Sequence, residues 1–181
     1  MPRSAPDRAR SKPVAPVLDI TRRVEFAAAH RLHRPDLSDA ANARLYGPCA
    51  HKGGHGHNYV LEVTLRGQVD PATGMVIDLK ELKAVMEREV VAKCDHRNLN
   101  VDPDFLRGVI PTAENVAVGC WRVLERRLPA GLLHRVRLYE SPRNFVDFYG
   151  VYAPTVARAT RSAPPLPVSG ASTGRGSRRA R

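Results

Sequence analysis

The sequence predicts an α+β domain, a four-stranded antiparallel sheet with two helices inserted between its second and third strands. Three observations carry that expectation. Four segments alternate apolar and polar residues with the period of half-buried strands, two segments between the second and third of these repeat apolar residues at helical spacing, and both chain ends lack either pattern.

The first strand is expected from Leu18 to Leu32, where Leu18, Ile20, Val24, Phe26, Ala28 and Leu32 share one parity and Thr21, Arg23, Glu25 and Arg31 the other. His30 falls on the apolar side. Residues 33–54, with Pro35, Gly47, Pro48, Gly53 and Gly54, read as a long irregular segment, a length that in a small domain often carries function. A second strand follows from His55 to about Val69, with His57, Tyr59, Leu61, Val63 and Leu65 on its apolar side; His55 shares their parity. Asp78 and Glu81 then form a capping-box-like start, and Leu79, Leu82, Val85, Met86 and Val90 recur at helical spacing to about Lys93. A second helix is expected from Thr112 until Pro129 ends it. The third strand, His134 to Glu140, puts His134, Val136, Leu138 and Glu140 on one face, and the fourth runs from Asn144 to Val151.

At 181 residues the chain suits a single domain. The net charge of +11 would suggest a nucleic-acid partner, but residues 1–17 carry +3 and residues 154–181 carry +6, leaving +2 for residues 18–153. Those Pro-, Ser-, Gly- and Arg-rich ends are expected to be disordered arms, because they hold too little apolar surface to order themselves. Nucleic acid is therefore not an expected partner. No apolar run is long enough to span a membrane and no secretory signal is expected at the N-terminus, and the three cysteines are an odd number. A cytoplasmic protein with free thiols is the expectation.

The chemistry lies in polar residues on apolar faces. On a strand, residues two apart point the same way, so His55 and His57 present two imidazoles to one point, with Gly56 leaving room for the backbone. His30 on the neighbouring strand adds a third nitrogen. Three nitrogens and an open position make a catalytic zinc site; a closed structural site from Cys49, His51, His55 and His57 is the alternative. Glu140 ends an apolar face, where it either reaches water or accepts hydrogen bonds from a ligand. Asp95 and His96 close the first helix, and Asp95 could orient the ring.

Five stretches in order, FAAAHRL, GPCAHKGGHGHNY, CDHRNLN, PTAENVAV and LYESPRN, resemble the pterin synthases of the tunnelling fold, the 6-pyruvoyltetrahydropterin and 6-carboxytetrahydropterin synthases. The likeness spans about residues 18–151. It implies zinc held by His30, His55 and His57, with Cys49 as the thiolate base and Asp95 and His96 completing the proton-transfer set. It further implies that Glu140 anchors a pterin, helped by Thr112 and Glu114. The implied assembly is a homohexamer, two trimers whose strands join into a barrel. The implied substrate is 7,8-dihydroneopterin triphosphate. Five residues separate Cys49 from His55, as in the pyruvoyl enzymes, which favours 6-pyruvoyltetrahydropterin as product; the carboxy product of queuosine synthesis is the alternative, and a non-catalytic zinc module contacting RNA a remote one. His51 and Lys52, inside that gap, are expected to add charge near the triphosphate.

Overall fold

The computed structural model describes residues 16–150; apart from Pro16 and Val17, both basic arms lie outside these residues, as do residues 151–153 at the end of the expected domain. The element order is β1 (Val17–His30), α1 (Asp39–Tyr46), β2 (His55–Gln68), α2 (Leu79–Met86), α3 (Ala92–Cys94), β3 (Arg97–Asn98), α4 (Ala113–Glu125), β4 (Leu133–Ser141) and β5 (Asn144–Phe148). A π-helical turn, Glu87–Val91, joins α2 to α3, and a 3-10 turn, Gly47–Ala50, follows α1.

The sheet has five strands, not four, in the order β3-β1-β2-β4-β5. The addition is β3, which pairs parallel to the edge of β1 at Ala28 and Ala29. A two-residue strand leaves no alternation to read, so its existence depends wholly on the neighbouring edge. The other pairings are antiparallel, and β1 and β2 face each other without interruption from Val17 opposite Gln68 to His30 opposite His55.

Strand parity sorts the two faces as expected. Phe26 and Ala28 of β1, Tyr59, Leu61, Val63 and Leu65 of β2, and Val136 and Leu138 of β4 are buried against Leu82, Met86 and Val90 of the first helical segment and Val116, Ala117, Cys120, Trp121 and Leu124 of α4. Each such aliphatic side chain contributes about 1.5–3 kcal/mol by leaving water. Among the described residues the opposite face carries no helix, and it is knitted by polar pairs. Thr21 bonds Thr64 at 2.8 Å, Arg66 clasps Asp19 through two 2.6 Å bonds, and Arg137 clasps Asp147 through two of 2.7 Å.

Two elements start where their caps place them: Asp78 accepts from the Lys80 amide to open α2, and Thr112 accepts from the Asn115 amide to open α4. The helix expected to last until Pro129 closes at Glu125. At β4 the expected parity fails at its first residue, because an irregularity beside Thr64 and Leu65 sets Leu133, not His134, opposite Leu65. Leu133 takes the buried position and His134 packs edge-on to Tyr149.

The supposedly irregular segment 33–54 contains α1, organised by one buried residue. Asn42 is fully buried; its Oδ1 accepts from the Arg34 amide, and its Nδ2 donates to the carbonyls of Arg34, Leu37 and Ser38. One side chain thus satisfies the backbone of the turn before the helix. Asn42→Ala should lower unfolding free energy by about 1–3 kcal/mol, read as a shifted urea midpoint, because it strips partners from that backbone.

Candidate metal centre and active site

The register of β1 and β2 builds the centre. His30 lies opposite His55, and His57 lies opposite Ala28, whose methyl leaves space for the ring. The ring centroids of His30, His55 and His57 are 4.5, 5.0 and 4.7 Å apart, and one nitrogen from each falls within a 4.8 Å set. His30 Nε2 is 3.1 Å from His55 Nε2. Cys49 and His51 do not belong to this set. His51 is exposed and its Nδ1 accepts from the Gly53 amide, so the closed cysteine-containing site is not what assembles.

A backbone carbonyl decides the protonation of His30. Its Nδ1 lies 2.8 Å from the carbonyl oxygen of Pro111, which can only accept, so Nδ1 carries the hydrogen and Nε2 bears the lone pair. Pro111 immediately precedes Thr112, the N-cap of α4, so the helix start backs His30. The Tyr59 hydroxyl is 3.3 Å from the same Nδ1. Burial lowers the pKa of all three histidines, most directly by penalising the charged ring, with Glu140 acting in the opposite sense. Neutral rings can bind a metal without first losing protons. Among the described residues, His57 Nε2 and His55 Nδ1 are buried and find no hydrogen-bond partner. An unpartnered nitrogen facing two others suits a cation, and the donor set fits zinc.

The steric need in this region falls on Gly54 rather than Gly56. At Gly56 an added Cβ would meet the Ala28 oxygen at an ordinary 3.5 Å. At Gly54, where φ is +68°, it would come to 2.9 Å from the His30 carbonyl oxygen. The tight approach of the loop to β1 just before His55 therefore requires glycine.

Glu140 sits beside the trio, its Oε1 3.6 Å from His30 Nε2 and 3.9 Å from His57 Nε2. Cys49 is carried by the 3-10 turn, whose Cys49 carbonyl accepts from the Leu32 amide at 2.8 Å, just past the end of β1. Burial, chiefly, and then the Glu140 charge push the Tyr59 hydroxyl far above its ordinary pKa. Cys94 and Cys120 are buried in the core; desolvation raises the Cys94 thiol to about 12 and also pushes the Cys120 thiol well up, so neither is a ready base.

Asp95 and His96 stand on the other margin of β1. Asp95 Oδ1 accepts from the Ala27 amide at 2.8 Å, and Oδ2 lies 2.9 Å from His96 Nδ1. The His96 amide donates to the Ala27 carbonyl, and its backbone is left-handed with φ 55°. The imidazole projects outward, its side chain 83% exposed, at a cleft of about 520 Å³ shared with Ala28, His57 and Asn98. Thr112 spends its hydroxyl on capping α4, and Glu114 is exposed in the first turn. Lys52 pairs with Asp39 of α1 at 2.8 Å and lines a second cavity with His30, Arg31 and His33. Sequence reasoning missed Pro111 and Tyr59. Tyr59 was recoverable, since it shares the parity of His55 and His57, whereas a backbone carbonyl leaves no mark in side-chain identity.

Fold and site define an α+β protein with a three-histidine centre at the end of an antiparallel strand pair, flanked by a carboxylate and, on the adjoining turn, a thiol. Residues 19–151 match the family model described as 6-pyruvoyl tetrahydropterin synthase. A protein named 6-pyruvoyl tetrahydrobiopterin synthase from Pongo abelii is 46% identical over 131 residues, covering 72% of this chain and 90% of its own length. The solved 6-pyruvoyl tetrahydropterin synthase of Caenorhabditis elegans superposes with a TM-score of 0.72 at 42% identity, covering 76% of this chain and 98% of that one. A putative 6-carboxy-5,6,7,8-tetrahydropterin synthase from Archaeoglobus fulgidus is 41% identical over 94 residues, only 51% of this chain. The chain belongs to the 6-pyruvoyl tetrahydropterin synthase family of enzymes.

The Asp95 carboxyl is held below its usual value of 3.8, first by the Ala27 amide and then by His96. A depressed folded-state pKa stabilises the fold at pH values above 3.8, and that stabilisation fades as pH falls through the lower folded value. Carboxyl NMR should therefore show Asp95 titrating below 3.8; titration at or above it would mean that the Ala27 bond does not persist in solution.

Proposed function

We propose that the protein is a zinc-dependent lyase that converts 7,8-dihydroneopterin triphosphate to 6-pyruvoyltetrahydropterin with release of triphosphate. The observation that carries this reading is the set of three neutral histidines converging beside the carboxylate of Glu140. Membership of the family, and the breadth of the match to relatives named for this product, support it.

His30, His55 and His57 hold the zinc, which when bound supplies Lewis acidity toward the substrate's side-chain hydroxyls and the adjoining C–H bonds. Glu140 accepts hydrogen bonds from the pterin ring and amino N–H groups, an acceptor-only arrangement that selects this donor pattern. Thr112 and Glu114, at the start of α4, take the supporting contacts to the ring. Cys49 as a thiolate takes the proton from side-chain carbon. The Asp95–His96 pair carries protons onward, with Asp95 fixing the ring through Nδ1 and leaving Nε2 to exchange protons at the cleft. Elimination of triphosphate and tautomerisation complete the reaction.

The active assembly is a homohexamer of two trimers. The edge of β1 supports this, since β3 covers it only at Ala28 and Ala29, and β5 forms the other edge of the sheet. Strands joined edge to edge across chains would turn the polar, helix-free face inward. The three free thiols, two of them buried, suit a reducing compartment such as the cytoplasm.

Incubating the zinc-loaded protein with 7,8-dihydroneopterin triphosphate and weighing the pterin product should give the pyruvoyl compound. A carboxy product would reverse the choice of branch, and absence of turnover would reject the reaction. Cys49→Ala should lower kcat about 100-fold or more while keeping one zinc per chain. Loss of zinc in that variant would instead place the thiol among the ligands.

A further inference from the structure

Glu140 is offered two tasks at once. Its Oε1 lies 3.6 Å from His30 Nε2 and 3.9 Å from His57 Nε2, separations beyond hydrogen-bonding range. His30 Nε2 carries a lone pair, because Nδ1 donates to Pro111, and His57 Nε2 is buried without a hydrogen-bond partner among the described residues. A carboxylate oxygen facing the lone pair of His30 repels it, and the His57 nitrogen beside them is left without a partner. A shared cation turns the repulsion into attraction.

The spacing fits that cation. Two donors bonded to one tetrahedral zinc at about 2.0–2.2 Å stand roughly 3.3–3.6 Å apart. Glu140 is 3.6 Å from His30, within that range, while His30 to His55 at 3.1 Å and Glu140 to His57 at 3.9 Å lie a few tenths of an ångström either side of it. Glu140 approaches from the His30 and His57 side, next to the compact set formed by the three rings. Its side chain keeps 24% exposure at the end of β4, which leaves it room to turn either way.

We propose that Glu140 is a displaceable fourth ligand: without substrate its carboxylate caps the metal held by His30, His55 and His57, and a pterin draws it away. This rests on the reading of the trio as a metal centre and of Glu140 as the pterin anchor. The exchange is balanced in bonds, with no electron transfer. The carboxylate–metal bond is replaced by one from a substrate hydroxyl oxygen, and the released carboxylate lone pairs accept the ring and amino N–H groups. Recognition of the ring and opening of the coordination position become one event, so a simple diol lacking those donors does not free the site.

The test uses the full chain without substrate. Zinc affinity is measured by competition with a chromophoric chelator, and the visible spectrum is recorded with cobalt in place of zinc, for wild type, Glu140→Ala and Glu140→Gln. Thermal melts of the metal-free proteins check that the variants fold. The expected result is a zinc affinity lower by about tenfold or more in both variants. Their cobalt bands should also be altered, and 7,8-dihydroneopterin, which lacks phosphate, should move the wild-type bands. Equal affinities and superimposable substrate-free cobalt spectra, with one metal per chain throughout, would overturn the proposal while leaving the three-histidine centre standing. Wild type that takes up no metal would overturn both.

Discussion

The ladder between β1 and β2 is the constraint on which the rest of the molecule depends. Each strand is 14 residues long and they pair end to end, so the register that sets Val17 opposite Gln68 also sets His30 opposite His55. A slip of one residue would turn His55 and His57 to the helix-free face and Tyr59, Leu61, Val63 and Leu65 with them. The apolar core therefore enforces the position of the histidines. The same ladder sets β4, since Val60 opposite Tyr139 brings Glu140 toward the trio.

Much of this was legible because strand parity is a strong signal over long strands. His30, His55 and His57 could be placed on one face from alternation alone. Legibility failed where structure depends on contacts outside the segment. Arg97 and Asn98 form a strand only because Ala28 and Ala29 offer an open edge. Helix α1 has weak apolar periodicity of its own and is organised by Asn42, whose amide bonds backbone groups that precede the helix. His134 was assigned the wrong face because one irregular pairing shifts parity without altering composition. The tight glycine proved to be Gly54, a matter of backbone approach to His30, rather than its neighbour between the two histidines.

The site combines two kinds of environment across a short distance. On the helix side His30 is buried and His55 and His57 are half-buried, backed by Tyr59 and the core. On the other margin Asp95 and His96 stand in solvent, held to β1 by main-chain bonds to Ala27. Asp95 and His96 keep access to solvent, while burial disfavours protonation of the three histidines. The strand between them serves as the partition, and its run of Ala27, Ala28 and Ala29 keeps it thin.

The carbonyl of Pro111 gives the centre an unusual kind of robustness. Because the group that sets the tautomer of His30 belongs to the main chain, no exchange of a side chain deletes it, and a proline before the N-cap further limits how the segment can move. Genetic drift can therefore erode this contact only indirectly, by shifting the seat of α4. The seat of the three-histidine cluster is thereby tied to helix docking: Val116, Ala117 and Cys120, remote in sequence from those histidines, act as its mechanical foundation.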